Sequence, residues 1–305
     1  MNEVAEGPAP GCGIRSQEMT WPLRHLSLAG LFWPAAIKTS APPVLLVHGW
    51  LDNALSFARL APLLAADRDV YAIDLAGHGK SGHRPPGQGY ALTDYIADLA
   101  ELVQTYFHGL EESGAPDLVG HSLGGIVALF YAAAFPDQIR RLVMIDSLGP
   151  MTRQPSEVIP QMRKAIEKRL AGSGRPVKYS SIEEAARARE GGMIPLSQEA
   201  AMTLIPRNLK EVAGGYGWST DAQLRHPSMI MMDEAQVAGC LEQVRTPTRF
   251  IRAQQGLLAS RPELNVRAEA IAGLDLVSVS GGHHCHLDGN VEPVASAVRE
   301  FINVR

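Results

Sequence analysis

The stretch Asp117-Leu118-Val119-Gly120-His121-Ser122-Leu123-Gly124-Gly125, continuing through an Ala- and Leu-rich run to Phe135, decides how this chain is read. Its first four residues predict a very short apolar strand, and residues 123–135 predict a buried helix. Between them, Gly120-His121-Ser122-Leu123-Gly124 fits Gly-x-Ser-x-Gly, a serine held on a sharp strand-to-helix turn. The pattern alone is weak, and the flanking strand and helix give it weight. Such a turn needs small neighbours, which Gly120, Gly124 and Gly125 supply. It projects the hydroxyl off the sheet, while the N-terminus of the helix offers backbone N–H groups to a developing oxyanion.

Outward from this turn, short apolar runs alternate with helical patterns, which predicts βαβ units and a mainly parallel sheet. Pro42-Pro43 introduces Val44-Leu45-Leu46-Val47, a continuous run of the kind strands buried on both faces show. A helical segment over 54–66 leads to the strand Val70-Tyr71-Ala72-Ile73. A helix over 93–112 carries Asp94, Asp98 and Glu101 early and a buried stripe of Ile96, Leu99, Ala100, Val103 and Phe107. The next strand is Arg141-Leu142-Val143-Met144-Ile145-Asp146. From Pro150 to Glu242 the rhythm is lost, broken by Pro155, Pro160, Pro195, Pro206 and several glycines. It returns with strands over 248–251 and 274–279 and a last helix over 293–302. The expected organisation is one α/β core, residues 18–149 and 243–305, with 150–242 inserted as a helical lid.

Composition excludes several classes. The 305 residues are 46% hydrophobic and 20% charged, enough to bury a large core. Lys+Arg 28 against Asp+Glu 32 gives a net charge of -4, and no basic stripe marks a nucleic-acid partner. The longest apolar run ends at Pro136 and falls short of the ~20 residues a spanning helix needs. Glu3 and Glu6 stand where a signal peptide would be basic. Cys12, Cys240 and Cys285 are too few and too scattered for a disulfide framework. A cytoplasmic protein with a small-molecule substrate is expected. The sequence is compatible with a homodimer but fixes no oligomeric state.

Several motifs together resemble the α/β-hydrolase family. They are His48-Gly49 after the 44–47 strand, Asp74-x-x-Gly77-His78-Gly79-x-Ser81, Gly120-His121-Ser122-Leu123-Gly124-Gly125 and Gly281-Gly282-His283, in the family's order. The stretch His48-Gly49-Trp50-Leu51-Asp52-Asn53, with Phe57 and Leu60 beyond it, is similar to the serine hydrolase-like subgroup. The resemblance runs from about Glu18 to the C-terminus, with the lid least typical. It implies an α/β-hydrolase fold: a mostly parallel eight-stranded sheet flanked by helices, with an inserted helical lid. It also implies Ser122 as nucleophile, and an oxyanion hole from the backbone N–H groups of Trp50 and Leu123.

The base should be a histidine near the C-terminus. His283 follows the strand over 276–279, has a glycine pair that lets its loop bend, and matches the family's Gly-His position. His284 and His286 read as structural, since one base suffices. Zinc on His283, His284, Cys285 and His286 is rejected, because four adjacent ligands cannot converge on one tetrahedral ion. No metal or cofactor is expected. The acid departs from the family's usual pattern, which places it after the strand over 248–251. Gly256-Leu257-Leu258-Ala259 holds no carboxylate there. A minority of the family takes the acid from the end of the strand after the nucleophile, here Asp146. Glu263 and Asp275 are fallbacks, with Asp275 at the wrong end of its strand. Asp74, beside Gly77 and Gly79, reads as a turn-stabilising carboxylate, and His48, His78 and His121 as loop histidines bonded to nearby backbone.

Over residues 151–242, 12 Lys+Arg meet 11 Asp+Glu, so no strong field steers an ionic substrate. Seven of the ten methionines lie there, which suits an adaptable apolar pocket as well as lid packing. Trp50, Tyr216 and Trp218 could line it. The expectation is a serine hydrolase, an esterase acting on a small or medium apolar carboxylic ester without a cofactor. Alternatives are a hydrolase-fold binding protein that has lost turnover, an acyltransferase, or a thioester, lactone or carbon–carbon bond hydrolase using the same site.

Overall fold

A computed structural model describes residues 15–107, 114–192, 194–259 and 261–304, without the side chains of 262–265. The core is one sheet built from β1 (Gln17–Pro22), β2 (Ser27–Trp33), β3 (Val44–Val47), β4 (Val70–Ile73), β5 (Asp117–His121) and β6 (Arg141–Ile145). Its eight strands are completed by two more. With β7 (Lys178–Tyr179), β8 (Leu209–Val212) and β9 (Gly215–Trp218) in the lid, these are β10 (Thr248–Gln255) and β11 (Asp275–Gly282). The order across the sheet is β1-β2-β4-β3-β5-β6-β10-β11. The pairs β1·β2 and β2·β4 are antiparallel and the remaining pairs parallel.

Period-two alternation explains why β3 and its neighbours are apolar throughout. Leu45, Val47, Leu118, Leu142, Met144 and Phe250 join one core layer, with α2 (Leu92–Leu102), α3 (Leu123–Ala134) and α7 (Glu234–Leu241). Val44, Leu46, Val119, Val143, Ile145 and Ile251 join the other layer, with α1 (Ala61–Leu64) and α8 (Glu292–Ile302). From β3 the chain runs to β4 on one side, then returns past β3 to β5 on the other. The crevice at that reversal, beyond the carboxyl ends of β3 and β5, is where an open α/β sheet receives its ligand.

Two expected helices are shorter than their patterns. The 54–66 segment is a 3₁₀ turn, Ala54–Phe57, followed by α1 with Pro62 in its first turn. The 93–112 pattern becomes α2 and a π-helical turn, Val103–Phe107, and residues 108–113 lie outside the described residues. The lid is not purely helical. Besides α4 (Val158–Ala171), α5 (Ile182–Glu190) and α6 (Gln198–Leu204), it holds an antiparallel sheet ordered β7-β9-β8, while α7, within the span expected to be lid, packs on the core. Val212 pairs with Gly215, so Ala213-Gly214 is a two-residue hairpin loop, with Gly214 at φ 74.

Polar side chains seat the lid on the core. Arg207 is buried and donates through Nε to both oxygens of buried Asp74 (3.0 and 2.8 Å), and through Nη1 to Glu18 (2.8 Å). Asp74 also accepts the N–H groups of Ala54 (2.7 Å) and Lys80 (2.9 Å), so it secures its turn and the lid together. Asn53 Nδ2 donates to Leu204 O, Asn208 Nδ2 to Leu51 O and Trp50 Nε1 to Leu224 O. Among the described residues, no helix is long and apolar enough to cross a membrane.

Removing one partner of a buried ion pair strands the other charge, at about 3–5 kcal/mol. Arg207→Ala is therefore expected to destabilise the protein by that order in chemical denaturation. Asp74→Asn in the same chain recovers part of the loss by removing the stranded charge. Equal stability of wild type and Arg207→Ala would show that Asp74 is served by its backbone donors alone.

Candidate active site

Ser122 sits between β5 and α3 with φ 51 and ψ -117, a conformation an L-residue holds only when its surroundings enforce it. Here they do. A side chain on Gly120 would strike the Gly124 carbonyl, and one on Gly124 would strike the Val47 carbonyl, so strand, turn and helix close at van der Waals contact. The Ser122 N–H donates to Ile145 O (3.2 Å), and Ser147 Oγ donates to Ser122 O (2.7 Å). Ser122 and Leu123 keep partial exposure, while His121 behind them is buried.

Asp146 follows β6 directly, also in the left-handed region at φ 42. Its N–H donates to Ile251 O (2.8 Å), fixing the corner. Its carboxylate, fully buried, meets His283 Nδ1 at 2.6 Å across the intervening β10. The same oxygen accepts the Leu257 N–H (2.8 Å). A Cβ on Gly256 would fall inside contact distance of that carboxylate, so the residue is a glycine because Asp146 fills its space. A carboxylate on Nδ1 leaves the His283 Nε2 lone pair free to take a proton. Of the fallback acids, Asp275 pairs with Arg249 (2.8 Å) at the start of its strand, and the Glu263 side chain lies outside the described residues.

The loop histidines bond to backbone. His48 donates from Nδ1 to Gly49 O (2.7 Å) and accepts the Leu75 N–H at Nε2 (2.9 Å), while His78 donates to Ala76 O (3.0 Å). His121 donates from Nε2 to the carbonyl of His283 (2.9 Å), tying the end of β5 to the loop after β11. Its ring lies 4.5 Å from that of His283, 5.0 Å from His284 and 4.1 Å from His286. Burial, and then the neighbouring imidazoles, holds His121 well below the ordinary histidine range. His286 bonds Ser56 Oγ (2.8 Å) and is held neutral for the same reasons. Burial, and then the charge of Asp146, pushes the Cys285 thiol up to about 12, which keeps it protonated near neutral pH.

Asp52 and Arg189 are what the linear pattern missed. Asp52 is buried, meeting His284 Nε2 at 3.2 Å with Oδ2 and Arg189 of the lid at 3.3 Å with Oδ1. Burial alone would raise its carboxyl, but His284 and Arg189 outweigh it and hold the group well below the usual range. Trp50 is 39% exposed beside the serine loop and anchored by its indole to the lid. Tyr216 and Trp218 lie on β9. Tyr216 is paired with Tyr179 and Glu211, and the Trp218 ring packs edge-on against Tyr179 and joins the lid's small core. Their described contacts lie within the lid's own sheet and core.

Residues 42–178 match the family model of the alpha/beta hydrolase fold. A probable serine hydrolase of Drosophila melanogaster is 32% identical over 80% of this chain and 76% of its own length. A serine hydrolase-like protein of Danio rerio is 29% identical over 94% of this chain and 88% of its own. The crystal structure of a hypothetical protein from Pseudomonas aeruginosa PAO1 is 36% identical. It covers 93% of this chain and 97% of that one, and superposes with a TM-score of 0.83. A serine at a strained turn, a carboxylate-bound histidine and these likenesses converge: the chain belongs to the α/β-hydrolase family, beside its serine hydrolase-like members.

Proposed function

We propose that the protein hydrolyses a carboxylic ester, or a related acyl bond, of a small to medium apolar substrate through an acyl-enzyme on Ser122. The observation that carries this reading is the 2.6 Å bond between His283 Nδ1 and the buried carboxylate of Asp146. His283 Nε2 takes the Ser122 proton as Oγ attacks the carbonyl, and Asp146 holds the tautomer and stabilises the imidazolium. The N–H of Leu123, at the start of α3, and that of Trp50 donate to the oxyanion. His283 then protonates the leaving alcohol, and water releases the acyl group by the same path in reverse. This chemistry needs no cofactor.

Two further observations support the reading. Asp146 occupies the volume beside Gly256, so the missing carboxylate there no longer favours a binding protein without turnover. The lid is near charge balance, and its Met232 packs against the same apolar cluster as Leu51 and Leu123, which favours an uncharged acyl group.

A fluorophosphonate, read by intact mass, tests the mechanism. Wild type is expected to label once per chain and Ser122→Ala not at all. Asp146→Asn slows labelling by about 10³–10⁴-fold, the order seen when the acid of such a triad is replaced. Gly256→Ala also slows it, because the new methyl group displaces Asp146 without removing any reacting group. A folded wild type that does not label would sink the activated serine, and unslowed Asp146→Asn would move the acid elsewhere. A panel of p-nitrophenyl esters tests the substrate. Short neutral acyl chains should exceed dicarboxylate half-esters in kcat/KM by at least about tenfold, the order of a 1.4 kcal/mol difference. A preference for the charged acyl groups would overturn the apolar reading.

A further inference from the structure

We propose that Asp52, His121 and His284 form a binding site for a zinc-class divalent cation behind the catalytic histidine. The four consecutive residues 283–286 cannot share one ion, but the fold brings His284 to two ligands from distant segments. Asp52 comes from the loop after β3, His121 from the end of β5 and His284 from the loop after β11. Their ligand atoms lie within 4.8 Å of one another, and all three side chains are buried.

The hydrogen-bond accounting shows why something belongs there. His121 donates from Nε2 to the His283 carbonyl, so Nδ1 carries a bare lone pair. That Nδ1 is buried with no hydrogen-bond partner among the described residues, and it stands 3.8 Å from Oδ2 of Asp52, which is also an acceptor. A lone pair facing a carboxylate away from solvent is unfavourable unless a cation or a hydrogen-bond donor lies between them. His284 Nδ1 likewise has no partner. An ion on Nε2 would put the proton of His284 on that Nδ1. Gly49 borders the same space, and a Cβ on it would lie 3.0 Å from His121 Nδ1 and 3.1 Å from Asp52 Oδ2.

The donor set points to the class of ion. Two imidazoles and one carboxylate suit zinc and its neighbours rather than magnesium or calcium, which take oxygen ligands. Tetrahedral zinc at ~2.0–2.1 Å sets its ligand atoms roughly 3.3 Å apart. His284 Nε2 and Asp52 Oδ2 are already at 3.2 Å, His121 Nδ1 stands 3.8 Å from the same oxygen, and all three ligand atoms lie within 4.8 Å of one another. Arg189 holds Oδ1 of Asp52 at 3.3 Å, orienting Oδ2 toward the imidazoles. Its charge opposes the ion, a cost that the imidazole ligands have to offset. A bound ion would link the three segments carrying the oxyanion donor, the nucleophile and the base.

Binding is read without substrate, so this inference and the hydrolase reading fail independently. Chelator-treated full-length protein is titrated with Zn²⁺ against a chromophoric competitor, with the melting temperature followed in parallel. One equivalent is expected to bind and to raise the melting temperature. His284→Gln and His121→Gln should each weaken binding more than about tenfold. His283→Ala should still bind one equivalent, which separates this site from the serine's own base. X-ray absorption on the loaded protein should report two imidazole nitrogens in the first shell. The proposal is overturned if wild type binds no stoichiometric Zn²⁺. It is also overturned if His284→Gln binds as wild type does, or if binding is lost only in His283→Ala.

Discussion

One carboxylate at one corner organises this site. Asp146 stands at the end of β6 with φ 42, its N–H bonded to Ile251 and its carboxylate to Leu257 N–H and His283. Ile251 lies on the neighbouring β10, Leu257 just beyond it and His283 just beyond β11, so the carboxylate's position follows from sheet register rather than from the flexibility of its own loop. The space it takes is the space a side chain at 256 would need. The Asp146 carboxylate in this position and a side chain at 256 are therefore mutually exclusive in this chain.

The second strained residue, Ser122, depends on the same register. β5 lies between β3 and β6, so the serine turn is bounded by the Val47 carbonyl on one side and by Ile145 and Ser147 on the other. Two left-handed L-residues on adjacent strand ends cost of order 1–3 kcal/mol each, and they persist because the packed sheet over-determines them. Pre-organisation is what the strain achieves. On the proposed mechanism, the Ser122 hydroxyl and the Asp146 carboxylate are held before substrate arrives, and the reaction need not arrange them.

Much of this was legible in the sequence because it is written in short-range signals. The runs at 44–47, 70–73, 117–121 and 141–145 are strands with nearly the expected bounds, since a run apolar at every position suits a strand covered on both faces. The glycines around Ser122 specify its turn, and Asp146 is legible as the carboxylate that ends the 141–146 run, with none in 256–259. The lid sheet was less legible, although Ala213-Gly214 between Val212 and Gly215 is a hairpin signal that the surrounding proline and glycine breaks obscured. The meeting of Asp52, His121, His284 and Arg189 could not be read at all. It joins four segments up to 232 positions apart, and each residue taken singly has an ordinary structural explanation.

The seating of the lid follows a physical logic that composition hides. Between β6 and α7, residues 150–233 form a small cluster of their own that is alanine-rich: Ala185, Ala186, Ala200 and Ala201 with Leu204 and Ile205. Non-directional burial would leave such an element free to slide. Arg207 on Asp74 and Arg189 on Asp52 act differently, because a guanidinium bonded to a buried carboxylate accepts few orientations. Ion pairs of this kind add little net stability over a well-packed apolar contact, but they are costly to break singly and they specify direction. One lies at the loop after β4, the other at the loop after β3 that bears Trp50. Residues 150–242 are thereby referenced to the loops that follow β3 and β4, at the carboxyl ends of two neighbouring strands of the sheet.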